Sequence, residues 1–232
     1  MANFQTHFNV ASFVSAIGSG TMYYSGLVAE KPETTLLFAG GIIGGILPDI
    51  DSDNSTPTKI IQYIFANLIS FFVLFKYIGI YPIGSLILIW IASFIATLIV
   101  LHIFNKFTSH RGMFHSIPAG LVFWFSFTLL FYYIFHYNYL ISWYFGIFVF
   151  LGYITHLILD EIYSIDLKGQ RIKKSFGTAF KFWSKNIKSN ILFYFLIIIL
   201  FYFMPQKQLF INSFTKFDII TTYHKLLRKY AR

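Results

Sequence analysis

The chain has 232 residues, of which 56% are hydrophobic and only 12% are charged, and its mean hydropathy is +0.65. Soluble globular domains carry about 25% charged residues, so this chain lacks the polar surface of a soluble protein. The composition excludes a soluble enzyme, a disordered chain and a coiled coil, and it predicts an integral membrane protein. Since the chain has no Cys, disulfides, thiolate metal ligands and a cysteine nucleophile are excluded as well.

Basic residues outnumber acidic ones by 18 to 9, which gives a net charge of +9. In a membrane protein such an excess sets orientation and attracts anionic lipid headgroups. We therefore expect membrane lipids as partners and no nucleic acid. These features do not indicate an oligomeric state.

Seven apolar stretches approach the roughly 20 residues that a membrane-spanning helix needs. The first two are rich in glycine, and the last is short enough either to span or to re-enter the membrane. In chain order they are Val10–Ala29, Thr35–Leu47, Ile60–Ile78, Pro82–Phe104, Ile117–Phe135, Tyr139–Leu159 and Ile191–Met204. The pattern predicts an all-α, polytopic integral membrane helical bundle with about 6–7 transmembrane segments.

The chain is expected to form one domain in two parts. Residues 1–160 make a six-segment helical core that carries every motif described below. Residues 161–232 add a basic polar stretch, the short apolar segment and a basic tail.

Ionisable residues are rare in so apolar a chain, and those near helix ends are the informative ones. They form four clusters: His7; Asp49, Asp51 and Asp53; His110, Arg111 and His115; and His156 with Asp160. If each of the first six segments crosses the membrane, counting crossings places all four clusters on the same face. This co-location predicts a single site.

The spacing within the clusters suits a metal site. His156 and Asp160 lie four residues apart and share a helix face, although a histidine that caps a helix end explains the pair equally well. Two carboxylates next to Pro48 point the same way if the chain is extended there, and they repel unless a cation or protons neutralise them. Arg111 needs a carboxylate or an anionic substrate as its partner.

Together the clusters supply a nitrogen and oxygen ligand set. The candidate metal ligands are His7, Asp49, Asp51, His110, His115, His156 and Asp160. Without a thiol such a set suits Zn²⁺, Mn²⁺, Fe²⁺ or Ni²⁺, and we expect Zn²⁺ or Mn²⁺, one or two ions per chain. Two ions about 3.5–4 Å apart would hold both oxygens of a phosphoester displacement.

These motifs resemble those of the YdjM-like family of bacterial inner-membrane proteins. The matching pieces are the early His7, Leu47 to Asp51, His110 to Ser116, and Gly152 to Asp160, so the resemblance covers about residues 1–160. The family has Thr where this chain has Phe114, which leaves the ligands intact. The resemblance implies a metal-dependent hydrolase in the bacterial inner membrane.

The leading hypothesis is a membrane-bound metal-dependent hydrolase that acts on a phosphoester or lipid-like substrate at one membrane face. Asp51 would act as general base and Arg111 would hold a phosphate oxygen. The alternatives are a transporter or metal-binding membrane protein without hydrolysis, and a structural scaffold. Because most of the Lys and Arg residues fall on the face of the clusters, the positive-inside rule makes that face cytoplasmic.

Overall fold

Eight α-helices make up most of the chain that the computed structural model describes, which is residues 3–51, 56–107, 115–166, 171–172 and 180–215. The helices are α1 (Phe4–Tyr24), α2 (Lys31–Ile46), α3 (Thr56–Tyr77), α4 (Ile83–Phe107), α5 (Ile117–Leu129), α6 (Tyr139–Ser164), α7 (Ile187–Phe203) and α8 (Lys207–Thr215). A 3₁₀ helix (Leu47–Asp51) follows α2, and a π-helical turn (Leu130–Ile134) continues α5. Strands β1 (Ile165–Asp166) and β2 (Arg171–Ile172) form a minimal antiparallel pair, with Ile165 opposite Ile172.

Helix starts follow local capping signals. The side chain of Asn3 accepts a hydrogen bond from the backbone N–H of Thr6 at the start of α1. Ser116 caps α5 in the same way, accepting from the N–H of Ala119. Each cap satisfies one of the backbone donors that a helix leaves free at its first turn. The Ser116 cap matters for the site because it fixes the backbone next to His115.

The number of membrane spans predicted from the sequence is wrong, whereas the all-helical membrane architecture is confirmed. Within the described residues, three helices are long and apolar enough to cross a membrane, over 83–102, 117–134 and 139–164. Helices α7 and α8 are bent by 85° relative to each other, and they add a fourth span if the pair crosses as one. Helix α2 has 16 residues, about 24 Å of helix against a hydrocarbon core of about 30 Å.

Helices α1 and α3 also fail to qualify as membrane spans, because their apolar stretches are interrupted or short. Helix α1 interrupts its apolar residues with Asn, Ser, Gly and Thr, and α3 is apolar only over Gln62–Tyr77. The sequence prediction counted apolar stretches without weighing these polar interruptions. The co-location of the ionisable clusters therefore has to be judged from side-chain distances rather than from counted crossings.

Helix α6 is the centre of the bundle. Its aromatic residues Tyr144, Phe145 and Tyr153 are almost fully buried, and the ring of Phe145 stacks on that of Phe131 from the π-helical turn at 3.8 Å. Helices α1, α2 and α5 pack around α6. By contrast, α4 packs chiefly against α3 and turns large apolar side chains outward, among them Leu88 at 68% exposure. We call α3 and α4 together the α3–α4 hairpin.

Glycines let α2 approach α6 at backbone distance. A Cβ atom at Gly44 would collide with the carbonyl oxygen of Val149, and one at Gly152 would collide with the carbonyl oxygen of Gly41. Small residues that allow such an approach are typical of helix pairs in membranes. The α2–α6 contact therefore depends on the missing side chains, and it sets the position of the C-terminal half of α6.

We expect Gly44→Ala to destabilise the bundle by about 1–3 kcal/mol, the usual cost of forcing an extra methyl into a packed core. Its neighbour is backbone, which cannot move aside as a flexible side chain would. Gly20→Ala is the matched control, because Gly20 is also helical and nothing lies within 4 Å of its added Cβ. Thermal unfolding in detergent measures the difference, and equal melting temperatures for the two variants would contradict this packing.

Candidate metal centre

Five of the residues predicted from the sequence converge in one buried cluster. His7 lies in the first turn of α1, Asp49 in the 3₁₀ helix, His115 just before α5, and His156 and Asp160 on α6. The three histidines and Asp160 are at most 5% exposed, while the side chain of Asp49 is 24% exposed. We call these five residues the His/Asp cluster.

Asp160 lies at the centre of the cluster. Its Oδ1 is 3.3 Å from Nε2 of His7. Its Oδ2 is 3.6 Å from Nε2 of His156 and 3.9 Å from Nε2 of His115. One carboxylate therefore faces three imidazoles, two from the starts of α1 and α5 and one from the preceding turn of α6.

His156 links Asp160 to Asp49, because its Nε2 is also 3.6 Å from Oδ1 of Asp49. The donor atoms form two overlapping groups, His7 with Asp49 and His156, and His115 with His156 and Asp160, and within each group all atoms lie within 4.8 Å of one another. A small cation placed between these atoms would reach them at its usual bond lengths of about 2.0–2.2 Å.

The orientation of His156 is set by a backbone carbonyl on α2. Nδ1 of His156 lies 2.8 Å from the carbonyl oxygen of Gly45. A carbonyl can only accept, so Nδ1 carries the proton and the Nε2 lone pair of the neutral ring points at the two carboxylates. Metal-binding histidines in proteins are held in this way by their second ring nitrogen.

His7 and His156 also contact each other through their ring faces. Their centroids are 3.6 Å apart and their planes are nearly parallel, at 9°. The stack holds the Nε2 atoms of both rings beside carboxylate oxygens, that of His7 beside Asp160 and that of His156 beside Asp49 and Asp160.

Burial also changes the ionisation of the carboxylates. Desolvation raises the pKa of the Asp49 carboxyl above its usual range, and the adjacent His156 and His7 oppose that effect. Two carboxylates and a ring lone pair that face one another in a buried pocket repel unless protons or a cation lie between them. Imidazole and carboxylate donors are a set that divalent transition metals bind well, so the residues present fit a metal ion.

The remaining predicted residues cannot be placed at the site. His110 and Arg111 lie outside the described residues, and for Asp51 only the backbone of the 3₁₀ helix is described. The proposed ligand roles of His110 and Asp51, and the roles of Asp51 as base and Arg111 as phosphate contact, stay predictions. His102 is exposed on α4, and neither it nor His136 belongs to the His/Asp cluster.

One residue of the site was missed from the sequence. Gly45 contributes a main-chain oxygen, which residue-type motifs do not reveal. The only signal was the pair of adjacent glycines, Gly44 and Gly45, before Pro48, and it indicated no partner. Its link to His156 exists only once α2 and α6 are in contact.

A protein-family model described as YdjM inner membrane protein matches residues 1–217. The match confirms the resemblance found in the motifs and extends it beyond residue 160, through the basic polar stretch, α7 and α8. No curated protein and no solved structure matches the chain.

We expect purified protein loaded with Zn²⁺ or Mn²⁺ to retain the ion, and Asp160→Asn to lose most of it. The amide keeps the shape of the carboxylate but removes the charge that faces three imidazoles. His115→Ala and His156→Ala are expected to lose metal too, whereas the exposed His102→Ala is the matched control and retains it. Elemental analysis after desalting measures the stoichiometry, and full retention in Asp160→Asn would rule out this site.

Proposed function

The chain belongs to the YdjM inner membrane protein family, and from the geometry of its His/Asp cluster we propose that it is a membrane-bound metal-dependent hydrolase of phosphoesters. The observation that carries the proposal is the convergence of His7, His115 and His156 on Asp160 in a buried pocket. A bound divalent ion would supply two things, a lowered pKa for a water molecule and charge stabilisation for phosphoryl oxygens.

The two ligand groups share His156, which limits how ions are held. The Nε2 atom of a neutral imidazole has one lone pair, so it binds one ion. An ion on His156 can use His7 with Asp49, or His115 with Asp160. A second ion would take the remaining pair and need further ligands, for which Asp51 and His110 are our candidates. We therefore propose one ion on His156 and a second that depends on Asp51 and His110.

The chain's own groups would handle the protons. Attack of water on phosphorus forms one P–O bond and breaks the P–O bond to the alcohol. A carboxylate takes the proton of the water and passes it to the leaving oxygen, so a phosphomonoester gives an alcohol and inorganic phosphate. Asp51 is our candidate for the base, and Arg111 for the contact that holds a phosphate oxygen.

The position of the cluster along the helices supports a hydrolase over a transporter. His7 is in the first turn of α1, His115 precedes α5, and Asp160 is four residues from the end of α6. Transporters place their sites near the membrane midplane, often on broken helices. A cluster at helix ends suits instead a substrate whose scissile bond lies at headgroup depth.

The test is hydrolysis of 4-nitrophenyl phosphate by the detergent-purified protein. We expect activity that a chelator removes and that Zn²⁺ or Mn²⁺ restores, with a loss of at least about 100-fold in Asp160→Asn and none in His102→Ala, since a positioned acid–base group alone contributes about 10²–10⁴-fold. Stoichiometric metal without any hydrolysis of mono- or diester substrates would move the assignment to the non-hydrolytic, metal-binding alternative.

We further propose that the cluster faces the cytoplasm. The backbone N–H of Ile117, two residues after His115, donates to the carbonyl oxygen of Lys181, so Lys181 of the basic polar stretch lies close to the site. The positive-inside rule puts such a stretch on the cytoplasmic side.

Single cysteines in this cysteine-free chain test the orientation. Lys185 is exposed and follows Lys181 by four residues, and Tyr81 is 48% exposed just before the start of α4. We expect an impermeant maleimide to label Tyr81→Cys in intact cells and Lys185→Cys only after the cytoplasmic face is opened. The reverse pattern would place the site outside.

A further inference from the structure

An apolar crevice separates the α3–α4 hairpin from α5 and α7. Its volume is about 280 Å³, and its walls include Phe65 of α3, Leu101 of α4, Val122 and Phe127 of α5, and Phe193 of α7. Among the described residues that line it, Ser126 is the only polar one. A smaller cavity lined by Phe65, Phe127 and Phe135 continues the crevice between α3 and the π-helical turn.

The crevice is open to the bilayer. Val100 lines it and is 59% exposed, on a helix whose exposed residues from Ile83 to Val100 are all apolar. A cavity with so few polar groups offers water no hydrogen bonds. In a membrane, the molecule that reaches such a lateral opening is the hydrocarbon chain of a lipid.

The depth of the crevice matches the position of the His/Asp cluster. Val122 follows His115 by seven residues, about 10 Å along α5. Val100 likewise precedes Phe107, the last residue of α4, by seven residues, which is about 10 Å along α4. Along α5 the crevice runs from Val122 to Leu130, about 12 Å, close to the thickness of one leaflet of a hydrocarbon core of about 30 Å.

We propose that this crevice holds the acyl or alkyl chain of a lipid phosphoester whose headgroup lies at the His/Asp cluster. The inference rests on the proposed function and narrows its substrate to a long-chain lipid. Lipid chains are as apolar as the crevice, so burial gives little affinity. The headgroup at the cluster supplies the binding, and the crevice selects molecules that carry a chain in the right place.

The test uses the full chain in phosphatidylcholine vesicles with a trace of hexadecyl phosphate that carries a photoreactive diazirine near its chain end. We expect adducts on the crevice walls of α3, α4 and α5. Val100→Trp fills the mouth and should cut these adducts several-fold. Ile99→Trp is the matched control, because Ile99 is the adjacent residue, is 52% exposed and does not line the crevice.

Two further experiments test whether the crevice and the His/Asp cluster bind the same molecule. A diazirine hexadecanol with the same chain should label the crevice much less than the phosphate does, and Asp160→Asn should reduce labelling by the phosphate to the level of the alcohol. Val100→Trp should also lower kcat/KM for hexadecyl phosphate while leaving 4-nitrophenyl phosphate unaffected. Replacement of the one polar residue described in the wall, Ser126→Phe, serves as a second filling variant.

The outcomes separate the two proposals. Equal labelling in Val100→Trp and Ile99→Trp, or equal labelling by phosphate and alcohol, would overturn the crevice inference while leaving hydrolysis of the soluble ester intact. Absence of metal uptake and of 4-nitrophenyl phosphate hydrolysis would instead overturn the proposed function.

Discussion

The backbone contact between α2 and α6 is the constraint on which the rest of the structure depends. Where Gly44 meets the carbonyl of Val149 and Gly152 meets that of Gly41, no side chain fits between the helices. The same contact brings the carbonyl of Gly45 to Nδ1 of His156. Close packing and the orientation of a candidate ligand are thus one feature, because a wider α2–α6 spacing would release the histidine ring.

The His/Asp cluster is costly for the bundle without a cation. The carboxylates of Asp49 and Asp160 both face the imidazole of His156, and the rings of His7 and His156 stack face to face at 3.6 Å. Buried charge that is only partly compensated usually lowers stability. Such a cost is typical of sites where function, not folding, selects the residues, and a divalent ion between these donors would remove it.

Hydropathy and residue order predicted much of this molecule, because they depend on local properties. The apolar stretches mark α1 to α7 to within about six residues at either end. The order of the His and Asp clusters also indicated one site. The number of spans failed, because α1 mixes apolar residues with polar ones and α2 is too short. The Gly45 carbonyl, the His7–His156 stack and the crevice could not be predicted, since each exists only between helices distant in sequence.

We propose that the His/Asp cluster binds a divalent ion through imidazole and carboxylate groups. X-ray absorption at the zinc edge of the zinc-loaded protein tests this binding. We expect nitrogen and oxygen neighbours at about 2.0–2.2 Å from the zinc, with the multiple scattering of imidazole rings, and a loss of that signal in Asp160→Asn. A spectrum of fully hydrated zinc without imidazole, unchanged in that variant, would contradict it.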